Sequence, residues 1–484
     1  MNFGAVKPGK LKPGAALYAL CRGRKLLVPD RDLAARLRPL YESQSSRENF
    51  KGKTGSITAY DADGGRVVFV ALERKSNSRS ENLRRAMATL VSRARALGET
   101  SADLVLPDSD AESARAAVEG LILSSYRFDK YKTKKADAEK SLEDVRLVGD
   151  ETDALVRGSL RGRIFAEAAC LTRDLVNEPA GHMTPSRLAE AAQSVGRQSK
   201  RIDVAVFDER EIEKRGMGAF RAVSLGSDQP PRFVHMTYRA PGAKKSVAVV
   251  GKGITFDSGG LCIKTADGMM DMKADMAGAA SVIGILSGVD RLGLKLNVHG
   301  IFPATENMPG GGAYKQRDIL RAMNGKTIEV TNTDAEGRLI LSDALAYASQ
   351  LKPDLIVDMA TLTGACVVAL GPKISGIFTA HKDLRKAIVK AGKRQGERIW
   401  PMPLEMEYFD EMMKSDLADM KNSGGRWGGA ITAACFLRQF VDPKIPWAHI
   451  DIAGPAIFDG AKYYNPPGAS GVIVRTLLRF LESM

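Results

Sequence analysis

Two carboxylates two residues apart, with an arginine two further on, stand in Asn332-Thr333-Asp334-Ala335-Glu336-Gly337-Arg338-Leu339, inside an otherwise apolar neighbourhood. Val330 precedes them, and Leu339-Ile340-Leu341 and Ala344-Leu345-Ala346 follow at helical spacing. The pattern predicts a buried strand that ends here and a core helix that begins just after it. Charges at such a junction are costly to desolvate unless they are paired or bind metal. One reading is a capped turn, with Asp334 or Glu336 favouring the positive end of the helix. The octapeptide alone does not choose between the two.

A second segment lies some eighty residues upstream. Gly251-Lys252-Gly253-Ile254-Thr255-Phe256-Asp257-Ser258-Gly259-Gly260 follows the apolar run Val247-Ala248-Val249-Val250, with Lys264 soon after and Asp275 in Met272-Lys273-Ala274-Asp275-Met276. Open α/β sheets collect their sites at the carboxyl ends of strands. Asp257, Asp275, Asp334 and Glu336 would bring four carboxylates to one such site, where they repel unless divalent cations neutralise them. Oxygen-rich coordination is the expected kind, and two ions about 3.5–4 Å apart are the common hydrolytic arrangement. The glycines also raise a phosphate loop, but neither the GxxxxGK[ST] nor the GxGxxG spacing is met. They suit a backbone that approaches metal and substrate closely.

These segments resemble the signature regions of the cytosol (leucyl) aminopeptidase family, the dimetallic exopeptidases. The likeness extends to Glu306-Asn307-Met308-Pro309, to Asn324 through Val330, and to Asp358-Met359-Ala360-Thr361-Leu362-Thr363-Gly364-Ala365. It continues through Ser415 to Asn422 and Trp447 to Gly454, and covers the chain from about Arg173 to its end. The resemblance implies a metal-dependent aminopeptidase with two divalent ions, Mn²⁺ or Zn²⁺, per subunit. It implies that Asp257 and Glu336 bridge both ions, that Asp334 completes the more exchangeable site, and that Lys252 and Asp275 complete the tighter one. A lysine ligand must be a neutral amine, which burial and adjacent dications favour; a salt bridge from Lys252 to an aspartate is the alternative.

In the same family likeness Lys264 stabilises the oxyanion and Arg338 holds a bicarbonate that acts as general base. The side-chain pocket falls on Met272, Thr361, Gly364 and Ala453, an apolar, sulfur-containing wall suited to Leu or Met; Met272 could equally fill a gap beside Met269, Met270 and Met276. Peptides as substrates and a homohexamer of two trimers are further implications. Trp427, in Gly425-Arg426-Trp427-Gly428-Gly429, and Pro455 depart from the family pattern, at the rim of the cleft or at a subunit contact.

At 484 residues the chain is long enough for two domains. The expected fold class is α/β in two parts. Residues 1–150 read as a small, macro-like N-terminal α/β domain without catalytic residues, 151–176 as a connecting helix, and 177–484 as a catalytic domain with a mixed, largely parallel sheet. In the first part Gly64-Gly65 reads as a turn, Val67–Leu72 and Asp103–Pro107 as strands, and Glu81–Leu97 and Ala111–Ser125 as helices. A helix from Asp153 to about Val176 ends at Asn177-Glu178-Pro179-Ala180-Gly181, and His182 at that break is read as structural.

Five cysteines without CxxC spacing suit packed thiols in a reducing compartment, and with five histidines they argue against a thiolate or His-rich metal site. No apolar run is read as a membrane span and no secretory leader is evident, so a cytoplasmic location is expected. Of the net charge of +14, most comes from residues 1–100, which hold 20 Lys and Arg against 9 Asp and Glu. That portion, with the run Lys130-Tyr131-Lys132-Thr133-Lys134-Lys135, is compatible with contact to nucleic acid. A solvated basic face is the favoured reading.

Overall fold

Alternation along a single strand shows how the N-terminal part is built. In Ala16–Arg22, the residues Ala16, Tyr18 and Leu20 enter one apolar core, while Leu17, Ala19 and Cys21 enter another on the opposite face. The first core is closed by helices Arg79–Ala96 and Ala111–Ser125, through Leu83, Met87, Leu90, Val118 and Leu121. The second is closed by helix Arg31–Arg47, through Leu33, Leu37 and Tyr41. Burial on both faces makes such strands read as continuous apolar runs. The computed structural model describes residues 1–11, 15–51, 55–60, 65–73, 78–133 and 141–484.

Across this sheet the strands run in the order Asn2–Val6, Asp144–Val148, Ser101–Val105, Ala16–Arg22, Arg66–Ala71 and Ser56–Tyr60. All neighbours are parallel except the last pair. The short strand Lys25–Leu26 folds back on Arg22 and Cys21 through a turn at Gly23, whose φ of 63° is left-handed. The two helices predicted here start at side-chain caps: Ser78 Oγ accepts from Glu81 N at 3.2 Å, and Asp110 Oδ1 from Ser113 N at 2.6 Å. Their apolar face is the one the sequence indicates, with Leu83, Ala86, Met87, Leu90, Val91 and Ala94 all buried. The predicted strands are found at Arg66–Ala71 and Ser101–Val105. Gly64 of the predicted turn and Lys134-Lys135 of the basic run lie outside the described residues.

By its contacts the chain forms two units. One comprises Met1–Cys170 with Arg394–Gly396 and Gly460–Pro467, the other Leu171–Lys393 with Glu397–Asp459 and Gly468–Met484. Helix Thr152–Asn177 runs from the first into the second.

The second unit is organised by a sheet of nine strands. Its order is Arg398–Met402, Ile374–Phe378, Trp447–Asp451, Leu355–Ala360, Ser246–Gly251, Asn297–Asn307, Arg232–Tyr238 and Ile202–Phe207, with Gly253–Asp257 pairing to the far half of Asn297–Asn307. The centre is parallel. The expected mixed, largely parallel sheet is therefore present, antiparallel only toward its sides. Val250 and Ala248 pack against Leu339, Ile340 and Leu345 of helix Glu336–Gln350. Helix Ala277–Val289 lies along Ser246–Gly251 and Asn297–Asn307.

Two expectations need revision. The strand before the octapeptide is only Thr327–Glu329, and it belongs to a separate three-stranded sheet rather than to the main one. The stretch Ala266–Val289 does reach the length and apolarity of a membrane span, but 83% of its most apolar window is buried inside this unit. It is core, and its apolarity comes from packing on both sides.

Candidate dimetal centre

Each carboxylate is placed by a different local device. Lys252 leaves the carboxyl end of strand Ser246–Gly251. Asp257 ends strand Gly253–Asp257, and the loop after it turns through Gly259 and Gly260, at φ 88° and 62°, to bring Lys264 N within 2.9 Å of Ser258 O. Asp275 lies on the 3₁₀ turn Met272–Met276, just before the core helix. Asp334 is aimed by a local turn in which Asn332 Oδ1 accepts from Asp334 N at 2.9 Å. Glu336 is the first residue of its helix, yet that helix has no side-chain cap. The capped-turn reading of Asp334 and Glu336 therefore gives way: both point into a shared cluster.

In that cluster oxygens of Asp257, Asp334 and Glu336 lie within 4.8 Å of one another. Lys252 Nζ is 2.7 Å from Asp275 Oδ2 and 2.8 Å from Glu336 Oε1, and it donates to Thr361 O at 3.1 Å. Lys264 Nζ is 2.9 Å from Asp257 Oδ2 and also paired with Asp334. Lys252, Asp257, Asp275 and Glu336 are buried, while Asp334 faces the opening.

Burial and the Glu336 charge push Asp257 up to about 6, against the pull of Lys252 and Lys264. Burial raises Asp275 well above the usual carboxylate range although Lys252 opposes it, and it raises Asp334 as well. For Glu336 burial is outweighed by Lys252 and Lys264, which hold it below its ordinary value. Burial works against both ammonium groups, but Asp275 and Glu336 raise Lys252, and Asp257 and Glu336 raise Lys264. Four carboxylates against two ammonium groups leave a formal excess of negative charge in a largely buried site. That donor set, hard oxygens plus one amine, fits divalent cations.

Neutral groups hold the carboxylates in position, and of these the sequence had given a role only to Thr361, as pocket wall. Asn307 Nδ2 donates to Asp257 Oδ1 at 2.8 Å and to Thr333 O at 3.1 Å, and Thr361 Oγ1 donates to Asp275 Oδ1 at 2.7 Å. Thr333 Oγ1 ties the two signature segments, donating to Gly259 O at 2.7 Å and accepting from Cys262 N at 2.8 Å. Gly337 sits so close that a Cβ there would lie 2.6 Å from Lys252 Nζ. Asn422 clamps the octapeptide, accepting from Thr331 N at 2.8 Å and donating to Asn332 O at 2.7 Å.

The cluster opens into a cavity of about 470 Å³. Every residue read from the sequence as ligand, catalyst or pocket wall lines it: Lys252, Asp257, Lys264, Met272, Asp275, Asp334, Glu336, Arg338, Thr361, Gly364 and Ala453. Val367, Pro372, Ala456 and Ile457 add apolar wall that sequence reading missed. Met276 is wholly buried and Met270 is 75% exposed, so only Met272 of that group faces the cavity. Arg338 is buried; its Nη1 donates to Asn422 O at 2.9 Å, and its Nε meets no acceptor. Burial lowers it to about 10 although Glu336 and Asp451 oppose that, which still leaves it charged at neutral pH. Trp427 stands 73% exposed beside Arg426, and neither it nor Pro455 lines the cavity. His182 is exposed and outside the cluster.

A cavity at the carboxyl end of the central sheet, lined by these four carboxylates, a buried arginine and a buried lysine, has the make-up of a metallohydrolase centre. Comparison with known proteins narrows the class. The cytosol aminopeptidase family, catalytic domain, matches residues 170–478, and the N-terminal domain of the same family matches residues 20–135. A "Probable cytosol aminopeptidase" of Aquifex aeolicus is 46% identical over 90% of this chain and 88% of its own length. One of Persephonella marina is 50% identical over 78% of this chain and 76% of its own. A mutant of tomato leucine aminopeptidase superposes with a TM-score of 0.89 at 34% identity, covering 100% of this chain and 97% of that one. The bottromycin maturation enzyme BotP in complex with Mn superposes with a TM-score of 0.86 at 36% identity, covering 97% and 99%.

The chain belongs to the cytosol aminopeptidase family. It is thus an aminopeptidase, a metal-dependent hydrolase.

Proposed function

We propose that this enzyme removes the first residue from peptides with a free α-amine, preferring Leu- or Met-like side chains, by means of two divalent cations. The observation that carries this reading is the convergence of Lys252, Asp257, Asp275, Asp334 and Glu336 on the cavity that Lys264 and Arg338 also line. Asp257 and Glu336 would be shared between the ions, Lys252 and Asp275 would complete one site and Asp334 the more open one. Two ions so held, Mn²⁺ or Zn²⁺, supply an acidified water as nucleophile and an anchor for the substrate amine.

The chain's own groups do the rest. Lys264, kept protonated by Asp257, Glu336 and Asp334, sets a positive charge where negative charge develops on the peptide oxygen. Arg338 cannot take up a proton at neutral pH. Its free Nε suits a small planar anion such as bicarbonate, held by the guanidinium edge, which would accept the proton from the attacking water. Met272, Gly364, Ala453 and Thr361 form a largely apolar wall for the first side chain. Lys252 must release its proton to serve as a ligand, so metal uptake competes with that proton. A homohexameric, cytoplasmic enzyme acting on peptides completes the proposal, and family likeness is its support.

Metal content tests it. Purified protein equilibrated with micromolar Mn²⁺ or Zn²⁺ is expected to retain two ions per chain, and Asp275→Ala one. A folded wild-type protein that retains none would overturn the reading.

A further inference from the structure

Strand Ala16–Arg22 lies between Arg66–Ala71 and Ser101–Val105 and is parallel to both. The chain leaving it forms helix Arg31–Arg47, on the face of Leu17, Ala19 and Cys21. The chains leaving its two neighbours form Arg79–Ala96 and Ala111–Ser125, on the opposite face with Tyr18 and Leu20. Where connections part to opposite faces, a crevice opens at the carboxyl ends of the strands, and open parallel sheets take their ligands there. This switch point lies in the N-terminal unit, and none of the residues proposed for the aminopeptidase reaction lies there.

A cavity of about 340 Å³ occupies that crevice, walled by Arg22, Lys25, Leu27, Leu72, Arg79 and Pro107 among others. A second, of about 460 Å³, shares Arg22 and Lys25 as its wall and adds Arg24 and Arg38. Arg79 is already committed, to Asp108 and, at 3.3 Å, to Asp110. Arg22, Arg24, Lys25 and Arg38 have no ion-pair partner among the described residues, and Glu42 is the one acidic residue on the second wall. Three of these cations sit on one hairpin, tightened at Gly23. All four are exposed to solvent, and an anion among them would relieve their mutual repulsion. Guanidinium forks grip phosphate oxygens in pairs, and a lysine supplies a point charge beside them. Leu27, Val28, Leu72 and Pro107 offer apolar surface next to that charge for the organic part of a ligand.

We propose that the carboxyl end of strand Ala16–Arg22 is a binding site for a phosphorylated small molecule of nucleotide size, with Arg22 and Lys25 on its phosphates. The test is calorimetric titration of the full-length, metal-loaded protein with ADP and with inorganic pyrophosphate, repeated on the R22A/K25A double variant. Both probes also meet the metal centre, so the informative quantity is the difference between the two proteins. Binding of ADP at sub-millimolar concentration, weakened about tenfold or more in the variant, is the expected result. The variant should keep its unfolding midpoint and its hydrolysis of a leucine anilide. A short DNA duplex forms the third arm. Equal ADP binding by both proteins, no binding by the wild type, or loss in the variant of duplex binding alone would each overturn the proposal.

Discussion

Asn307 Nδ2 donates to Asp257 Oδ1 at 2.8 Å, so the last residue of one strand fixes the carboxylate at the end of its neighbour. The same amide donates to Thr333 O at 3.1 Å, immediately before Asp334. One neutral side chain thus sets the spacing between two proposed ligands. Groups behind a ligand typically contribute ten- to a hundred-fold in metal affinity. Asn307→Ala is expected to weaken binding of the first-lost metal by that order, with the fold intact, as read by competition with a chelating dye. Unchanged affinity would show that Asp257 is oriented without it.

Gly337→Ala sets helix propensity against crowding at Lys252. Alanine at a helical position favours the helix by up to about 1 kcal/mol over glycine. A Cβ there meets Lys252 Nζ and Cε, each at 2.6 Å, and Asp275 and Glu336 hold that amine in place. The displacement therefore falls on the metal centre. Stability to urea should fall by about 1–3 kcal/mol through that crowding, while bound metal and activity fall together and further.

Lys264 is expected to act on the transition state rather than on substrate binding. Removing one donor aimed at a developing oxyanion typically costs about 10²–10³ in kcat. Lys264→Ala should lower kcat by that order with KM changed little. A purely structural role, pairing Asp257 with Asp334, would show instead as lost metal at unchanged turnover per metal-loaded chain.

Acid stability has one contribution far from the centre. Half-buried His235 meets His299 Nδ1 at 2.9 Å through Nε2 and Tyr347 Oη at 3.0 Å through Nδ1, with Thr237 Oγ1 at 3.1 Å. Burial, then His299, Arg239 and Arg215, push His235 down to about 4. Above about pH 6.5 the ring is neutral in both folded and unfolded chains, and its contribution is complete. As pH falls from there toward 4, the unfolded chain takes up a proton that the folded one refuses, and stability drops. The shift corresponds to roughly 3 kcal/mol. His235→Gln should flatten the urea midpoint between pH 4 and 6.5 relative to wild type; parallel pH profiles would contradict this.

The charged half of the centre was legible in the sequence because charge beside apolar runs is rare. Asp257, Asp334 and Glu336 stand out against Val247–Val250 and Leu339–Leu341. The other half is neutral and distant along the chain. Asn307 reaches Asp257 across fifty residues and Asn422 reaches Asn332 across ninety, and an asparagine at a strand end or in a loop carries no local mark of such a task. Gly337 is hidden for a different reason, since only the folded position of Lys252 shows why a side chain is excluded. In the fold, helices with clear apolar faces were found within two residues, as at Arg79–Ala96. The sequence placed a buried strand before the octapeptide but could not say which sheet holds Thr327–Glu329, because burial of Ile328 and Val330 looks alike in either.

The central claim is that a metal-held water attacks only the bond next to a free α-amine. Its most direct measurement is hydrolysis of a leucine anilide and of its N-acetyl derivative, after dialysis against chelator and after re-addition of Mn²⁺ or Zn²⁺. The predicted result is cleavage of the free-amine substrate alone, lost on dialysis and restored by metal. Cleavage of the acetylated substrate at a similar rate, or no cleavage of either by folded, metal-loaded protein, would contradict it.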